Sequence, residues 1–261
     1  MIDNSSYISS NAKIHPSVKI GPFSYIGDNV IIEKNCKLIS HVSIVGNTKI
    51  GENNIFYPFC SIGSNPQDLK FKNEKSFLTI GNNNKFRENV TVNPGTTGGG
   101  LNTIIKDNCL FMVGSHIAHD CIIQSNVILA NNATLAGHVE IGENAIVGVN
   151  SAIHQFVQIG KFAMIGGMSG VEKNIIPYGL YTGIRSDLKG INIVGLKRKG
   201  LNSTTINNIL KCIKIIFSNS DSIDSNVKNI PSKYLNITEI KEITEYIINF
   251  QKRGLCRYKI D

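Results

Sequence analysis

The 261-residue sequence contains no tryptophan, and only 7% of its residues are aromatic. It also lacks the interleaved basic and aromatic residues that are typical of nucleic-acid-binding faces. The net charge of +8 therefore indicates a different acidic partner, such as a phosphate-bearing substrate or an acidic protein. We expect no nucleic-acid partner.

No apolar run approaches the roughly 20 residues that a membrane span requires. The first residues, Met1-Ile2-Asp3-Asn4-Ser5-Ser6, lack the basic-then-apolar order of a signal peptide. The six cysteines form neither C-x-x-C pairs nor a short-range framework, which in a long chain without a signal indicates reduced thiols. We expect a cytoplasmic protein without a membrane span.

Large apolar residues recur at every sixth position through most of the sequence. One series runs from Ile8 to Ile62 and resumes at Ile80, and glycine directly follows several of its members. After residue 92 the series shifts by one position and continues to residue 171. The pattern is interrupted at residues 65–76 and again near residues 95–102, where we expect loops.

A period of six fits neither an α-helix nor one continuous alternating strand. It is typical of a solenoid in which each unit is a short strand plus a corner, with a glycine tolerating positive φ at the corner. Three units would close an eighteen-residue coil, so that Ile26, Ile44, Ile62 and Ile80 form one inner column. With coils about 4.8 Å apart, the sequence predicts a mainly β protein, a parallel β-helix of roughly ten coils over residues 1–189.

The apolar period becomes helical near the C-terminus. The residues with this spacing are Ile206, Ile209, Leu210, Ile213 and Ile216, followed by Ile240, Ile243, Ile247 and Phe250. Ser203 is a candidate N-cap of the first segment, and Pro231 separates the two. We predict a small α-helical domain over residues 190–261.

Residues 114–121 contain two of the six histidines, three positions apart and beside an acid. An eighteen-residue coil would place Gly137 next to His119, and His138 next to Asp120. A neutral imidazole can accept a proton from a hydroxyl, and a neighbouring carboxylate can orient it. The amide of Gly137 could approach a developing oxyanion. We predict that His119 is a general base.

Three other interpretations stay open. The histidines could be solvated surface residues. They could hold zinc, as in some trimeric β-helical carbonic anhydrases, although the spacing of His116 and His119 differs from that in those enzymes, and we expect no metal. The β-helix could also serve binding or assembly without catalysis.

Six segments carry a more specific resemblance. They are Met1-Ile2-Asp3, Gln67-Asp68-Leu69-Lys70, His116-Ile117-Ala118-His119-Asp120-Cys121, Leu129-Ala130-Asn131-Asn132-Ala133-Thr134-Leu135-Ala136-Gly137-His138, His154-Gln155-Phe156 and Gly195-Leu196-Lys197-Arg198-Lys199-Gly200. Together they resemble the bacterial acyl-carrier-protein–UDP-N-acetylglucosamine O-acyltransferase family of hexapeptide-repeat enzymes, over nearly the whole chain. That family performs the first step of lipid A synthesis.

The resemblance implies a homotrimer of left-handed β-helices with active sites in the clefts between neighbours. It implies transfer of a 3-hydroxyacyl group to the 3-hydroxyl of UDP-N-acetylglucosamine. The acyl donor is carried on the phosphopantetheine of acyl carrier protein, so no bound cofactor is expected. The positive net charge suits both the acidic carrier protein and the diphosphate.

The resemblance also assigns residue roles. His119 matches the general base, Asp120 the acid that orients it, and Gly137 the amide that stabilises the oxyanion. Because adjacent residues of a straight strand point in opposite directions, the pairing of His119 with Asp120 requires a local bend. The positions matching substrate-binding residues are Gln67, Asp68, Lys70, His116, His138, His154, Gln155, Gly167, Asn192 and Arg198.

Gly167 matches the position that limits acyl length, and glycine there predicts a longer acyl chain. Two departures concern sugar recognition. Many members have His-Arg where this chain has Asn93-Pro94, and a glutamate where it has Val194. A 3-amino acceptor is an alternative to the hydroxyl. The nearest alternative enzyme, the N-acyltransferase of the same pathway, normally has an extra N-terminal domain, for which a repeat beginning by Ile8 leaves no room.

Overall fold

The computed structural model describes residues 1–218, 222–249, 253–256 and 258. Short strands dominate its first part and stack in register into three long sheets. Every pairing between successive coils is parallel, so the predicted parallel β-helix is confirmed.

Each sheet takes one short strand from each coil that it crosses. In order along the sheet, the first contains Tyr7–Ile8, Tyr25–Ile26, Ser43–Ile44, Ser61–Ile62, Thr91–Val92, His116–Ile117, Thr134–Leu135, Ala152–Ile153 and Gly170–Val171. The second contains Lys13–Ile14, Ile31–Ile32, Asn47–Ile50, Phe77–Ile80, Asn102–Ile105, Ile122–Ile123, Glu140–Ile141 and Gln158–Ile159. The third contains Lys19–Ile20, Lys37–Leu38, Ile55–Phe56, Lys85–Phe86, Leu110–Phe111, Ile128–Leu129, Ile146–Val147, Met164–Ile165, Gly179–Thr182 and Asp187–Ile191, the last pairing antiparallel.

The apolar residue of each repeat fills the interior of the coil. In the third sheet, for example, the stacked rings of Phe56, Phe86 and Phe111 lie 4.7 and 4.8 Å apart and are fully buried. The buried Asn54 and Asn84 extend this stacking with hydrogen bonds, since the side-chain oxygen of Asn54 accepts from the Asn84 amide at 2.9 Å. Each repeat therefore buries this large residue and also the residue two positions before it, such as Cys36, Val90 or Ala133, and together they build a continuous core.

The inner column predicted from the sequence is wrong at one position. Ile62 pairs with Val92, whereas Ile80 pairs with Ile50. The loop at residues 65–76 adds twelve residues, which is two repeats, so the six-residue count keeps its phase across the loop. Because the loop is not part of the coil, Ile62 lies in the first sheet and Ile80 lies in the second, so the two do not stack.

Of the glycines that directly follow an inner residue, Gly63 has the positive φ that the sequence predicts, but most of the others do not. Gly51 does not have a positive φ, but a Cβ there would lie 2.6 Å from the Gly81 carbonyl oxygen of the next coil. The left-handed residue is Asn53, two positions later, with φ 58°. Asparagine tolerates this region better than other side chains. At Gly51 the adjacent backbone therefore leaves no room for a side chain.

Both loops leave the β-helix at the edge between the first and second sheets. The first loop connects Ser61–Ile62 to Phe77–Ile80. The second loop, with a short 3-10 helix at Thr97–Gly99, connects Thr91–Val92 to Asn102–Ile105. On the next coil the same edge carries residues 118–121. The loops are therefore placed to cover this part of the edge.

Among the described residues, four α-helices follow the last strand. They are α1 (Ile193–Arg198), α2 (Ser203–Ile216), α3 (Ile223–Lys228) and α4 (Thr238–Asn249), with a 3-10 turn at Ser232–Tyr234. The N-cap of α2 is Asn202, whose side chain accepts from the Thr205 amide, and not Ser203 as predicted. Phe250, predicted to belong to the last helical series, lies outside the described residues. Across the described chain, no helix has the length and hydropathy that crossing a membrane requires.

Helix α4 docks on the β-helix through charged and aromatic contacts. Glu242 accepts hydrogen bonds from Lys161 at 2.5 Å and from the Tyr178 hydroxyl. Lys199, next to the end of α1, donates to Glu239 at 2.8 Å and lies over the Tyr178 ring.

All six cysteines are buried free thiols.

Candidate active site

The corner between the strands His116–Ile117 and Ile122–Ile123 bends sharply at Asp120. Its φ of 59° is left-handed, which is uncommon for a residue other than glycine and favoured by the short polar side chains of Asp and Asn. The bend turns two adjacent side chains toward each other, so that His119 Nδ1 lies 2.8 Å from Asp120 Oδ2. The bend that this pairing requires is therefore present, and its position is Asp120 itself.

The Asp120 carboxylate is buried and held by the second loop. Its Oδ1 accepts from the Thr96 amide at 2.8 Å, and its Oδ2 accepts from the Thr96 hydroxyl at 2.6 Å. The Asp120 amide donates to Thr103 Oγ1 at 2.8 Å. Thr96 was not predicted as a site residue. The sequence marks it only by its position in the loop where the six-residue repeat shifts by one.

One coil further on, Gly137 and His138 face this pair, as the eighteen-residue register predicts. The His138 ring meets the His119 ring edge-on at 5.0 Å, and its Nδ1 lies 3.9 Å from Asp120 Oδ2. Phe156 stacks on the other side of His138 at 4.3 Å. A Cβ at Gly137 would lie 2.4 Å from the His119 ring, so glycine leaves the space that the imidazole occupies.

Two of the neighbouring histidines favour the neutral form. Burial lowers the pKa of His116, and the nearby His119 adds to this effect. Burial also lowers the pKa of His138, against the opposing influence of the Asp120 and Asp68 carboxylates. His116 Nδ1 lies 2.7 Å from the hydroxyl of Thr91. Near neutral pH both rings can therefore offer one N–H donor and one acceptor nitrogen.

His119, Asp120 and His138 also form a cluster with the spacing of metal ligands, since one ligand atom from each lies within 4.8 Å of the others. The Asp120 oxygens, however, already accept from the amide and hydroxyl of Thr96 and face His119. A metal ion would have to displace at least part of this set. The donors present fit an imidazole held by a carboxylate better than a zinc centre.

The first loop brings some of the implied substrate residues to the same edge. Asp68 is close enough to influence His138 electrostatically, and its Oδ1 accepts from the Lys70 amide at 3.0 Å. Gln67 and Lys70 are exposed on this loop. The side chain of Asn93 donates at 2.9 Å to the carbonyl of residue 64 at the base of the loop.

A groove of about 650 Å³ adjoins Asp120 and His138 and reaches the C-terminal segment. Arg253 lines it and contacts His154 Nδ1. His154 and Gln155 are exposed on the coil after His138. Arg253 was not assigned a role from the sequence, because nothing in the spacing of the repeats links the C-terminal segment to this edge.

The remaining implied residues lie elsewhere on the single chain. Gly167 follows the strand Met164–Ile165 at the edge between the third and first sheets. Asn192 caps α1, accepting from the Gly195 amide, and donates to the carbonyl of Phe162 at the edge between the second and third sheets. Arg198 is exposed at the end of α1. One chain therefore does not bring these three residues together with His119.

Models of known protein families match both the β-helix and the helical part of the chain. The model of bacterial transferase hexapeptide repeats matches residues 5–39 and 102–137. The model of the second domain of UDP N-acetylglucosamine O-acyltransferase matches residues 174–256. The repeats and the three stacked sheets are those of a left-handed parallel β-helix followed by a small helical part, as the resemblance implied.

Similarity to curated relatives extends over the full length. The acyl-[acyl-carrier-protein]–UDP-N-acetylglucosamine O-acyltransferase of Rickettsia canadensis (strain McKiel) is 48% identical over 258 residues, covering 99% of this chain and 98% of the relative. The protein of the same name from Thermodesulfovibrio yellowstonii is 44% identical over 256 residues, covering 98% and 99%.

Solved structures are similar to this chain over its full length as well. The UDP-N-acetylglucosamine acyltransferase of Bacteroides fragilis 9343 superimposes with a TM-score of 0.95 at 38% identity, covering 98% of this chain and 100% of that one. The Arabidopsis enzyme gives a TM-score of 0.88 at 30% identity, with the same coverage. The relatives therefore share both domains with this chain and not the repeats alone.

Proposed function

The chain belongs to the family of acyl-[acyl-carrier-protein]–UDP-N-acetylglucosamine O-acyltransferases, and from this premise we propose that it moves a 3-hydroxyacyl group from acyl carrier protein to the 3-hydroxyl of UDP-N-acetylglucosamine. This is the first step of lipid A synthesis. The observation that carries the proposal is the buried carboxylate of Asp120 bonded to His119, beside Gly137.

His119 is the general base. An ionised carboxylate only accepts hydrogen bonds, so the contact between His119 Nδ1 and Asp120 Oδ2 places the ring proton on Nδ1. The lone pair of Nε2 is then free to accept the proton of the sugar hydroxyl. The sugar oxygen attacks the thioester carbonyl as this proton leaves, and Asp120 stabilises the resulting imidazolium.

Gly137 stabilises the tetrahedral intermediate. Among the described residues its amide donates no hydrogen bond to another protein group, so it is available to an oxyanion. When the intermediate collapses, the bond from carbon to sulfur breaks and the phosphopantetheine thiolate leaves. His119 returns its proton to that thiolate, which restores the free base. The acyl group is thus delivered by the carrier protein, and no bound cofactor is needed.

The substrate is held by neutral or basic groups around the same edge. His116, His138, His154 and Gln155 offer donors to the sugar nucleotide, and Lys70 offers a charge from the first loop. Gln67 and Asp68 lie on the same loop, where Asp68 can meet the hydroxyl of the acyl chain. We take the acceptor to be the 3-hydroxyl and not a 3-amino group, because the relatives are named O-acyltransferases. Asn93 and Val194 mark positions where sugar recognition departs from the family pattern.

The working form is a homotrimer in the cytoplasm. Gly167 and Asn192 lie at other edges of the β-helix than His119, and Arg198 lies at the end of α1, so three copies side by side would bring these residues to the cleft of a neighbour. The six unpaired cysteines suit a reducing compartment. Analytical ultracentrifugation of the purified protein tests the trimer, and a monomer that retains full activity would contradict it.

One assay tests the reaction. The protein is incubated with 3-hydroxyacyl carrier protein and UDP-N-acetylglucosamine, and the acylated sugar is measured by mass spectrometry. We expect product from the wild type and a loss of about 10²- to 10⁴-fold for His119→Ala, the usual contribution of a general base. His15→Ala is the matched control, because His15 is exposed and its ring is hydrogen-bonded to the hydroxyl and amide of Ser17, far along the chain from this edge.

No acylated sugar from the wild type, or equal product from wild type and His119→Ala, would contradict the proposal. Elemental analysis of the same preparation addresses the zinc alternative. Stoichiometric zinc that is lost in His119→Ala would favour a metal centre at His119, Asp120 and His138.

A further inference from the structure

Thr96 makes two of the three hydrogen bonds that the Asp120 carboxylate accepts among the described residues. Its amide donates to Oδ1 at 2.8 Å and its hydroxyl donates to Oδ2 at 2.6 Å. Only the third bond, from His119 Nδ1 to Oδ2, involves the base. Thr96 is 3% exposed, so water cannot readily replace its hydroxyl.

These two bonds determine the plane of the carboxylate. A carboxylate rotates about a broad, soft torsion, and a contact to His119 alone would leave that rotation free. Donors from Thr96 on both oxygens fix the rotation and direct Oδ2 toward the imidazole. The loop packs closely here, since a Cβ at Gly99 would lie 2.1 Å from the carboxyl carbon of Asp120.

The residue after Thr96 connects this support to the first loop. The amide and hydroxyl of Thr97 donate to Glu74 Oε1 at 3.1 and 3.2 Å. These hydrogen bonds lower the pKa of Glu74, and the largest effect comes from the one that the Thr97 backbone amide donates. Glu74 therefore stays ionised near neutral pH. Glu74 belongs to the same loop as Asp68 and Lys70. Two consecutive residues of the second loop thus have different partners: Thr96 holds Asp120, and Thr97 holds the first loop through Glu74.

We propose that Thr96 is a positioning residue for acyl transfer, which holds Asp120 in the plane where it orients His119, and that Glu74 ties this support to the loop at residues 65–76. The role is exercised through Asp120 and not by contact with substrate. The proposal rests on the general-base function of His119 proposed above.

Two substitutions separate the hydroxyl of Thr96 from its shape. Thr96→Val keeps the volume and the amide but removes the donor to Oδ2, whereas Thr96→Ser keeps the donor. We expect Thr96→Val to lower kcat by about 10- to 100-fold, as for loss of a hydrogen bond to a charged group, with the KM for UDP-N-acetylglucosamine nearly unchanged. Thr96→Ser should recover most of the activity. Thr79→Val is the control, because the Thr79 hydroxyl contacts Asn102 and not Asp120.

A spectroscopic measurement needs no substrate and so separates this proposal from the proposed reaction. The Nδ1 proton of His119, bonded to Asp120, should give a downfield proton resonance that disappears in His119→Ala. Thr96→Val should shift this resonance and Thr79→Val should not. If Thr96→Val does not fold, Thr96→Ala is measured in the same way.

The proposal is overturned if Thr96→Val has the kcat and the resonance of the wild type. It is also overturned if Thr96→Ser is as impaired as Thr96→Val, because the hydroxyl would then have no specific role. The two proposals can fail separately. If the wild type is inactive, the proposed reaction is contradicted. If the resonance nevertheless shifts in Thr96→Val and not in Thr79→Val, the positioning role is supported.

Discussion

Gly137 lies against the imidazole of His119, one coil away. A Cβ at position 137 would be 2.4 Å from His119 Cε1 and 2.6 Å from Nε2, distances at which atoms overlap. Only glycine therefore allows the ring to keep both its bond to Asp120 and its place at this corner. The absence of a side chain at one residue positions the side chain of another.

Gly137→Ala should therefore impair catalysis more than stability. The methyl group forces the His119 ring to move by at least several tenths of an ångström, and a displacement of about 1 Å costs on the order of 10²-fold in rate. Measurement of kcat with saturating substrates checks this, alongside the melting temperature. Gly27→Ala is the control, because a Cβ there meets Val45 Cγ1 at 3.3 Å. Wild-type kcat in Gly137→Ala would show that the ring does not need its present position.

Gly167 predicts the length of the acyl chain. A Cβ at position 167 would lie 2.8 Å from Val149 Cγ1, so any side chain there would have to displace Val149 or project into the groove beside it. We expect the wild type to prefer long hydroxyacyl chains and Gly167→Met to shift the preference to shorter ones. Rates with carrier proteins that bear C10 to C16 chains measure this. A preference of the wild type for C10 would contradict the prediction.

The fold followed from the sequence because one apolar residue per six dictates the whole coil. Every residue in the inner column meets an equivalent residue of the next coil, so the repeat encodes tertiary contacts as well as local structure. The same register placed Gly137 and His138 beside the residues eighteen positions earlier. For this reason the core of the candidate site could be predicted before the structure.

What lies between the repeats could not be predicted in the same way. The column of Ile80 was wrong because a twelve-residue loop preserves the six-residue count without belonging to the coil. The contact of Thr96 with Asp120 was missed because a loop residue has no register. The left-handed bend at Asp120 does follow the repeat, since the third residue after the inner one is also left-handed at Asn53, Asn126 and His138, but the glycines of the sequence pattern pointed to a different corner residue.

The buried thiols should be unreactive in the folded protein. Burial raises the pKa of Cys60 and Cys121 to about 12 and that of Cys109 to about 11. Near pH 8 few of these groups are thiolates, the reactive form, and their burial also blocks reagents. Ellman's reagent should label none of the six cysteines in the native protein and all six in denaturant. Rapid labelling of a cysteine in the native state would contradict this.

The contact between Glu239 and Lys199 predicts how acid affects the helical part. Burial by itself would raise the pKa of Glu239, but the hydrogen bond and charge of Lys199 outweigh it and hold the pKa below the ordinary 4.5. For an acid with a lowered folded pKa, the stabilisation is complete above the unfolded pKa and is lost as the pH falls through the folded one. At pH 7, Glu239→Gln should therefore lower the free energy of unfolding, by about 1 to 3 kcal/mol for a charged hydrogen bond.

The difference between Glu239→Gln and the wild type should begin to shrink as the pH falls below 4.5 and should vanish once it has fallen through the lower folded pKa, because the folded wild-type carboxyl is then uncharged, like the glutamine. Urea denaturation at neutral and acidic pH measures both values. Glu245→Gln is the matched control, since Glu245 is exposed on the same helix and a surface change of this kind costs little. A deficit of Glu239→Gln that stays constant from neutral to acidic pH would show that the charge of Glu239 is not what stabilises the docking of α4.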